Sequence, residues 1–447
     1  MQTPHKIAVV GSGLVGTLLA IYLKRAGHTV DVYDRSPDIR TVEFSGRSIN
    51  LVMSNRGWKA LEDVGLAEEI RKIGIPVDKR GIHLQDGTLN YQAYGKEGEA
   101  IFSLSRGILN RKMVDLAEKE GVNFFFEHKI WDVNLATATL FEGDSEQGNW
   151  TELKYDKVFG ADGAFSRIRH RMQRQSMFDY SQEFMKIGYK ELYIPANADG
   201  SAKIDINSLH IWPRGNFMLM GLANLDNSFT CTLFMPIEGE NSFAKIKDEA
   251  SLVTFFDKYF PDTKEVIPDL VRDFFKNPTS YLAIMKCFPW TYEDKVALIG
   301  DSSHAIVPFY GQGMNAGFED ITILSEMMQK YGDDWKTIFK EYEISRKPNA
   351  DAIAELSLRN FIEMSDLTAD ANFILQKKIE KWFSDKHPEK WMPLYSRVTF
   401  SLQPYSEALA IGDFQNEIMQ EVLQMENIEQ LWDSKEVENK ILELLQD

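Results

Sequence analysis

The sequence predicts an α/β protein in three parts: a Rossmann-like domain, an inserted β-sheet domain and a C-terminal helical region. Three observations carry this reading. The chain opens with strand, glycine turn, helix and strand over Lys6–Tyr33. Two further strand-end motifs, GADG at 160–163 and LIGDSSH at 298–304, lie far downstream. Between those two motifs runs a long β-rich stretch.

In the opening unit, Lys6–Val10 is an apolar run rich in branched residues, and Gly11, Gly13 and Gly16 form GxGxxG directly after it. Helical character continues from Leu14 to Lys24, Gly27 ends the helix, and Thr29–Tyr33 is the second strand, closed by Asp34. This is the dinucleotide fingerprint in its full context: Gly11 for the turn, Gly13 for close approach to a pyrophosphate, Gly16 for helix–strand packing. The helix N-terminus offers free N–H groups to phosphates, and Asp34 can accept hydrogen bonds from a ribose. The uncharged run within Ile7–Leu23 could be mistaken for a signal peptide or a membrane span. Its three glycines and the missing cleavage pattern argue against both.

Composition narrows the class. At 447 residues the chain is too long for one simple core. Its 44% hydrophobic and 26% charged content is ordinary for a globular protein. A net charge of −17 opposes binding to nucleic acid or an anionic membrane. Two cysteines, Cys231 and Cys287, suit a reducing compartment and exclude a Cys-rich metal site. No later segment is apolar enough to span a bilayer. The expected location is the cytoplasm; the oligomeric state stays open, a homodimer included.

Arg47, in GRSINL at 46–51, reads equally as a surface charge or a phosphate partner. Asn55–Ile73 has helical spacing. Val77–Tyr94 alternates like a hairpin turning at Asp86-Gly87; Arg80 there is either an ordinary exposed charge or a carboxylate binder. A helix is expected over Ile108–Glu120, and strands over Val122–Glu127 and Ile130–Leu140, with a turn-rich insertion at Gly143–Asn149. Lys157–Gly160 leads into the GADG motif, which puts Asp162 at a strand's carboxyl end. Tyr189–Phe234 reads as a separate sheet. Its stripe of Trp212, Phe217, Met218, Met220 and Phe234 is read as core rather than pocket lining. Helices are expected over Leu252–Phe260, Val266–Phe275 and Met314–Tyr331, then a helical tail from Trp335 punctuated by Pro348 and Pro404. The division is 1–76, 98–180 and 291–335 for the dinucleotide domain, 77–97 and 181–290 for the β-rich domain, and 336–447 for the helical region.

Position decides which dinucleotide fits. Asp301 ends a strand of the same sheet and can bind the ribityl hydroxyls of a flavin chain. Gly311-Gln312-Gly313-Met314-Asn315 then opens a helix whose N–H groups would face an isoalloxazine. FAD needs this long track; NAD would not. Asp301, Ser302, Ser303 and His304 are too close in sequence for a hydrolase relay, and no nucleophile elbow precedes them. No cluster has metal-ligand spacing.

GxGxxG, a DG motif and a GD motif in this order resemble the flavin-dependent aromatic-ring hydroxylases. Segments at 46–51, 189–195, 209–215, 229–236, 307–320, 360–364 and 393–401 resemble one family among them, the kynurenine 3-monooxygenases. The resemblance implies bound FAD, NADPH as co-substrate without a domain of its own, and O2 delivered through a flavin C4a-hydroperoxide. It implies hydroxylation of L-kynurenine at ring carbon 3, in tryptophan degradation towards NAD. Carried over by position, Arg80, Tyr94 and Tyr395 would hold the amino-acid end, Asn360 would also contact substrate, and Phe234, Pro308, Phe309 and Met364 would wall the ring. Val15, Asp34, Arg35, Arg106, Asp301, Met314 and Asn315 would touch FAD, and Asp162 both FAD and NADPH. The chain departs from the family at Asp34 (often Glu), Ala93 and Ala223 (usually Pro) and Tyr310 (His or Phe). Two competing readings are a hydroxylase of another aromatic acid and a flavin-fold binding protein without catalysis.

Overall fold

The structure is a computed structural model that describes residues 3–42, 50–144, 149–365 and 370–446. Arg47 and the tip of the 143–149 insertion lie outside the described residues. Branched apolar residues place Lys6–Val10 inside a six-stranded sheet, where Ile7, Ala8 and Val9 are fully buried. This strand pairs in parallel with Thr29–Tyr33 on one side and with Lys157–Gly160 on the other. Asn123–Phe125 extends the first side and Val296–Leu298 the second, both in parallel; Thr291–Tyr292 closes the edge antiparallel.

The sheet therefore changes its direction of growth between Lys6–Val10 and Lys157–Gly160. Open α/β sheets bind ligands beyond the strand carboxyl ends at such a point. Gly11 and Ala161 stand there, with the Ala161 N–H donating to the Val10 carbonyl at 2.8 Å. The space is so close that only glycine fits. A Cβ on Gly16 would lie 2.0 Å from the Gly11 oxygen, and one on Gly11, where φ is +109°, 2.3 Å from the Ala161 oxygen.

A second sheet has seven strands in the order Ser280–Phe288, Asp179–Ile194, Phe229–Pro236, Met218–Ala223, Ser208–Pro213, Lys79–His83, Leu89–Ala93. The hairpin at 79–93 thus leaves its sequence neighbours and joins this sheet, Lys79–His83 running parallel to Ser208–Pro213. Ser280–Phe288 is a further strand, outside the β-rich stretch expected from the sequence. One face of the sheet packs on the helices Glu249–Tyr259 and Leu270–Lys276, through Trp212, Phe217, Leu233 and Phe256. The other face turns toward Val307, Phe309, Phe361 and Met364.

Three helical expectations are corrected. The helix expected over Asn55–Ile73 is two, Asn55–Asp63 and Ala67–Arg71, because Gly65, at φ +55°, lets the chain turn out of the first. The helix expected over Val266–Phe275 is Leu270–Lys276; Pro268 disfavours helix before it. Pro348 does not punctuate the tail, since Trp335–Ser365 runs through it. The carbonyl that Pro348 cannot serve belongs to Ile344, which is 49% exposed, so water can take that bond. Beyond this helix, Ala371–Lys386, Tyr405–Val422 and Lys435–Leu444 share a core of Ile379, Phe383, Ile418, Val422, Val437 and Ile441.

Candidate active site

Two cavities adjoin the turn Pro308–Tyr310, which gives Pro308 to one and Tyr310 to the other. The first, about 310 Å³, gathers all three strand-end motifs: Gly13, Leu14 and Val15 from the first, Ala161 and Gly163 from the second, Asp301 from the third. Gly311, Gly313, Met314 and Arg106 complete that end. Gly13 caps the helix Leu14–Arg25 with no side-chain hydrogen bond, and a Cβ there would meet nothing within 4 Å. Gln312 likewise caps Gly313–Tyr331 without a side-chain bond. Two helix N-termini thus present N–H groups with no side-chain cap.

The opposite wall comes from the second sheet by strand alternation. Thr230, Thr232 and Phe234 line the cavity, while Cys231, Leu233 and Met235 face the core behind. Met220 lines it too, whereas Trp212, Phe217 and Met218 are core. The stripe read as core in the sequence is therefore split between the two roles. Thr230 and Thr232 were missed, although the period-two pattern of FTCTLF was the available signal; Leu222 on the neighbouring strand was missed as well.

Several expected cofactor residues sit elsewhere. Asp34 and Arg35 follow the second strand, outside the cavity lining. Asp34 accepts from the Ser12 N–H at 2.8 Å, the Ser12 hydroxyl at 2.9 Å and the Ser36 N–H at 2.8 Å. Asp162 takes the Arg167 N–H at 2.6 Å, and its other oxygen is buried without a partner. Burial pushes the Asp162 carboxyl up, against the N–H bonds that lower it. Asn315 is fully buried; its side chain donates to Val52 and Gly311 and accepts from Ser54. That side chain braces the turn, and Asn315 is not part of the cavity lining.

Below the cavity floor lies a buried ionic network. Asp320 accepts from His304 at 2.6 Å, Arg346 at 2.7 Å and the Gly300 N–H at 3.1 Å; Glu319 pairs Arg346 and Arg56. Burial alone would raise the Asp320 carboxyl; His304 and Arg346 outweigh it and hold it at about 2. His304 is structural, and Ser302 and Ser303 donate to backbone carbonyls, so no hydrolase relay exists here.

The second cavity, about 570 Å³, holds Arg80, Tyr94, Tyr310, Asn360 and Tyr395. Arg80 is 8% exposed, its Nε has no hydrogen bond, and no ion pair meets it among the described residues. Its guanidinium lies 5.0 Å from the Tyr94 ring centroid and 4.7 Å from that of Tyr395. Tyr395 stacks on Tyr94 at 5.2 Å and on Tyr310 at 5.5 Å. Burial pushes all three phenols above their ordinary value, so each is a neutral hydroxyl donor at pH 7. A buried cation with no ion pair among the described residues, flanked by neutral phenols, has the chemistry to receive a carboxylate.

Asn360 donates to the Phe309 carbonyl at 2.7 Å and to the Met364 sulfur at 3.2 Å, so it steadies the shared turn. Phe309 and Met364 line neither cavity but sit in the apolar cluster between, Phe309 against Phe234 at 5.0 Å and Phe361 at 4.4 Å. His83, three residues from Arg80, is not in the cavity. It stacks on Trp212 at 4.0 Å and bonds Asp262 and His210, both at 2.8 Å. Burial lowers the His210 imidazole to about 4.

The glycine cradle and the uncapped helix ends fit a flavin dinucleotide, and the FAD binding domain family matches residues 5–357. A tetrameric 2-methyl-3-hydroxypyridine-5-carboxylic acid oxygenase has the same fold: TM-score 0.68 at 18% identity, over 84% of this chain and 96% of that one. Kynurenine 3-monooxygenase of Flavobacterium johnsoniae is 73% identical over 446 residues, spanning 100% of both chains. That of Flavobacterium psychrophilum is 69% identical, over 100% of this chain and 99% of its own. The chain belongs to the kynurenine 3-monooxygenases, a family of FAD-dependent aromatic monooxygenases. No described helix is long and apolar enough to cross a membrane.

Proposed function

We propose that the protein hydroxylates L-kynurenine to 3-hydroxy-L-kynurenine with NADPH and O2, in the cytoplasm. The observation that carries this is Arg80, a buried cation with no ion pair among the described residues, in a cavity that adjoins the cofactor cavity across the turn Pro308–Tyr310. In this reading Arg80 binds the substrate carboxylate, and the Tyr94 and Tyr395 hydroxyls donate to the same group. The aromatic ring extends past Pro308 and Phe309 toward Phe234, where apolar side chains exclude water. Asn360, through the Phe309 carbonyl, fixes the turn that separates the two ends of the substrate.

FAD, held by Gly13, Val15, Asp301, Met314 and the uncapped helix ends, supplies the reduction by NADPH and the oxygen transfer. With FAD bound, Asp34 and Arg35, beyond the glycine turn, would meet its adenosine end, Arg106 would contact it, and the free Asp162 oxygen would accept a hydrogen bond. The substrate's ring amine activates the carbon ortho to it, so no strong side-chain base is required.

NADPH consumption by flavin-replete protein, with and without L-kynurenine, tests the reading, with the product weighed by mass spectrometry. Strong stimulation and a product one oxygen heavier are expected. Bound flavin without stimulation would overturn the substrate, and a panel of aromatic acids would then replace it.

A further inference from the structure

Asp179–Ile194, in the seven-stranded sheet, is 16 residues long, and one of its sides is open for almost half of that length. Ser280–Phe288 pairs along one side from Asp179 to Tyr189. On the other side Phe229–Pro236 pairs only from Ile187 onward, and the Ile237 N–H donates to the Lys186 carbonyl at 3.0 Å. Among the described residues no strand covers that side from Asp179 to Met185. Every residue of this run but Met185 is exposed, Phe184 to 53%. The run, DYSQEFM, has no Pro or Gly to blunt it. An edge of this kind is a template for another strand.

We propose that residues 179–185 pair with the same run of a second copy of this chain, antiparallel about a two-fold axis through Gln182, so that two seven-stranded sheets join into one. Hydrogen-bonded and non-hydrogen-bonded pairs alternate in an antiparallel ladder, so a two-fold axis must set one residue opposite its own copy. Gln182 is the middle residue of the open run, and no other centre pairs all of it. Centred on Ser181, the ladder would set Asp179 against Glu183; centred on Glu183, it would set that carboxylate against itself. Like charges directly opposite are destabilising. Centred on Gln182, it sets Tyr180 against the second copy's Phe184, twice over, with Ser181 against Glu183 and Asp179 against Met185. Aromatic pairs across strands are favourable, and no like charges meet. The neighbouring strand adds charge complementarity. Lys286 stands opposite Ser181, and neither Lys286 nor Glu183 has an ion pair among the described residues. Over the short Ser181 side chain, Lys286 faces the second copy's Glu183. The other open edge of the sheet, Leu89–Ala93, gives Tyr91, Gln92 and Ala93 to the second cavity, whereas residues 179–185 line neither cavity. Pairing at 179–185 therefore leaves both cavities as they are.

The experiment measures mass by light scattering during gel filtration, on the full chain and on variants checked for bound FAD. The wild type is expected at twice the chain mass. Phe184→Lys, which puts a charge on the open edge, is expected at half the wild-type mass with FAD still bound. Gln182→Cys under mild oxidation is expected to give a covalent dimer on a non-reducing gel, because facing Cα atoms lie about 4.5–5.5 Å apart, within disulfide reach. Two copies of Asp179→Cys would stand six residues apart along the ladder, roughly 20 Å, and are expected not to cross-link. Cys231 and Cys287 are buried, so the wild type serves as the blank. A monomeric wild type would overturn the proposal. So would a dimer that Phe184→Lys leaves intact, or one that Gln182→Cys fails to trap. If Phe184→Lys does not fold, the contrast between Gln182→Cys and Asp179→Cys decides alone.

Discussion

The two cavities are built from different materials. The first is lined at its cofactor end by backbone: glycines, strand ends and helix N-termini, each motif contributing a few consecutive residues. The second is lined by side chains from separate stretches, Arg80, Tyr94, Tyr310, Asn360 and Tyr395, each on a different element. A backbone cradle recognises shape and phosphate charge by close approach, and it fails when atoms are added. A side-chain receptor recognises one charge, and it fails when atoms are removed. The two regions should therefore break under opposite kinds of substitution.

The largest effect is expected from adding one methyl group to the cradle. Gly16→Ala places a Cβ 2.0 Å from the Gly11 oxygen, which is backbone and cannot yield. The protein should purify without flavin, and its stability should fall by about 1–3 kcal/mol or more. The flavin-to-protein absorbance ratio and the melting temperature read this; a yellow, stable variant would refute the cradle.

Arg80→Ala should leave FAD bound and act on the other cavity alone. Removing a shielded charge contact costs about 2–5 kcal/mol, roughly thirty- to several-thousand-fold in KM for L-kynurenine. A KM close to that of the wild type would take Arg80 out of the substrate site.

Acid should separate the regions more gently. His210 pairs across the sheet from Gly81, next to Arg80, and its pKa in the folded protein is about 4 instead of 6.5. Protons then bind the unfolded chain preferentially. Its share of stability is whole above about pH 6.5 and is lost as pH falls toward 4, by about 3 kcal/mol at most. Asp320, under the first cavity, is shifted the other way, to about 2 from 3.8. Its contribution persists through that window and is lost only as pH falls from about 4 through 2. His28 is also lowered to about 4 by burial, so variants rather than the wild-type curve alone must be compared. Denaturant unfolding of His210→Gln should show a flatter dependence between pH 6.5 and 4; an unchanged slope would remove His210 from the account.

The smallest effect is expected at Tyr310. Tyr310→Phe keeps the ring that stacks on Tyr395, at 5.5 Å, and loses only a hydroxyl. KM should change by less than about threefold, since the stack and not the hydroxyl supplies most of the contact. A larger change would show that the hydroxyl itself binds substrate.

How much was readable beforehand follows the same division. Gly11, Gly13, Gly16 and Asp301 could be singled out because a tight turn, close approach of a ligand, helix–strand packing and a strand-end carboxylate each force a residue type at a fixed place. Asn315 shows the limit: its place at a helix start was readable, but its side chain turns to Val52, Gly311 and Ser54. Tyr94, Asn360 and Tyr395 take their roles only from family resemblance, and Arg80 on the hairpin reads equally as an exposed charge or a carboxylate binder until that resemblance is used. Nothing in their local sequence says that residues 80 and 395 meet. Thr230 and Thr232 could have been found from strand alternation once the cavity face was known, which required the partner elements.

From the sequence alone came the α/β class, the dinucleotide turn, the flavin-type motif order and the family, because these depend on local periodicity and on contacts within one or two elements. Tertiary structure decided which strand the hairpin at 79–93 joins, Ser208–Pro213 in parallel. It decided too that Trp335–Ser365 continues through Pro348 to bring Asn360 to Arg80. Those outcomes rest on the burial of faces against partners hundreds of residues away, and that energy has no signature in the local sequence.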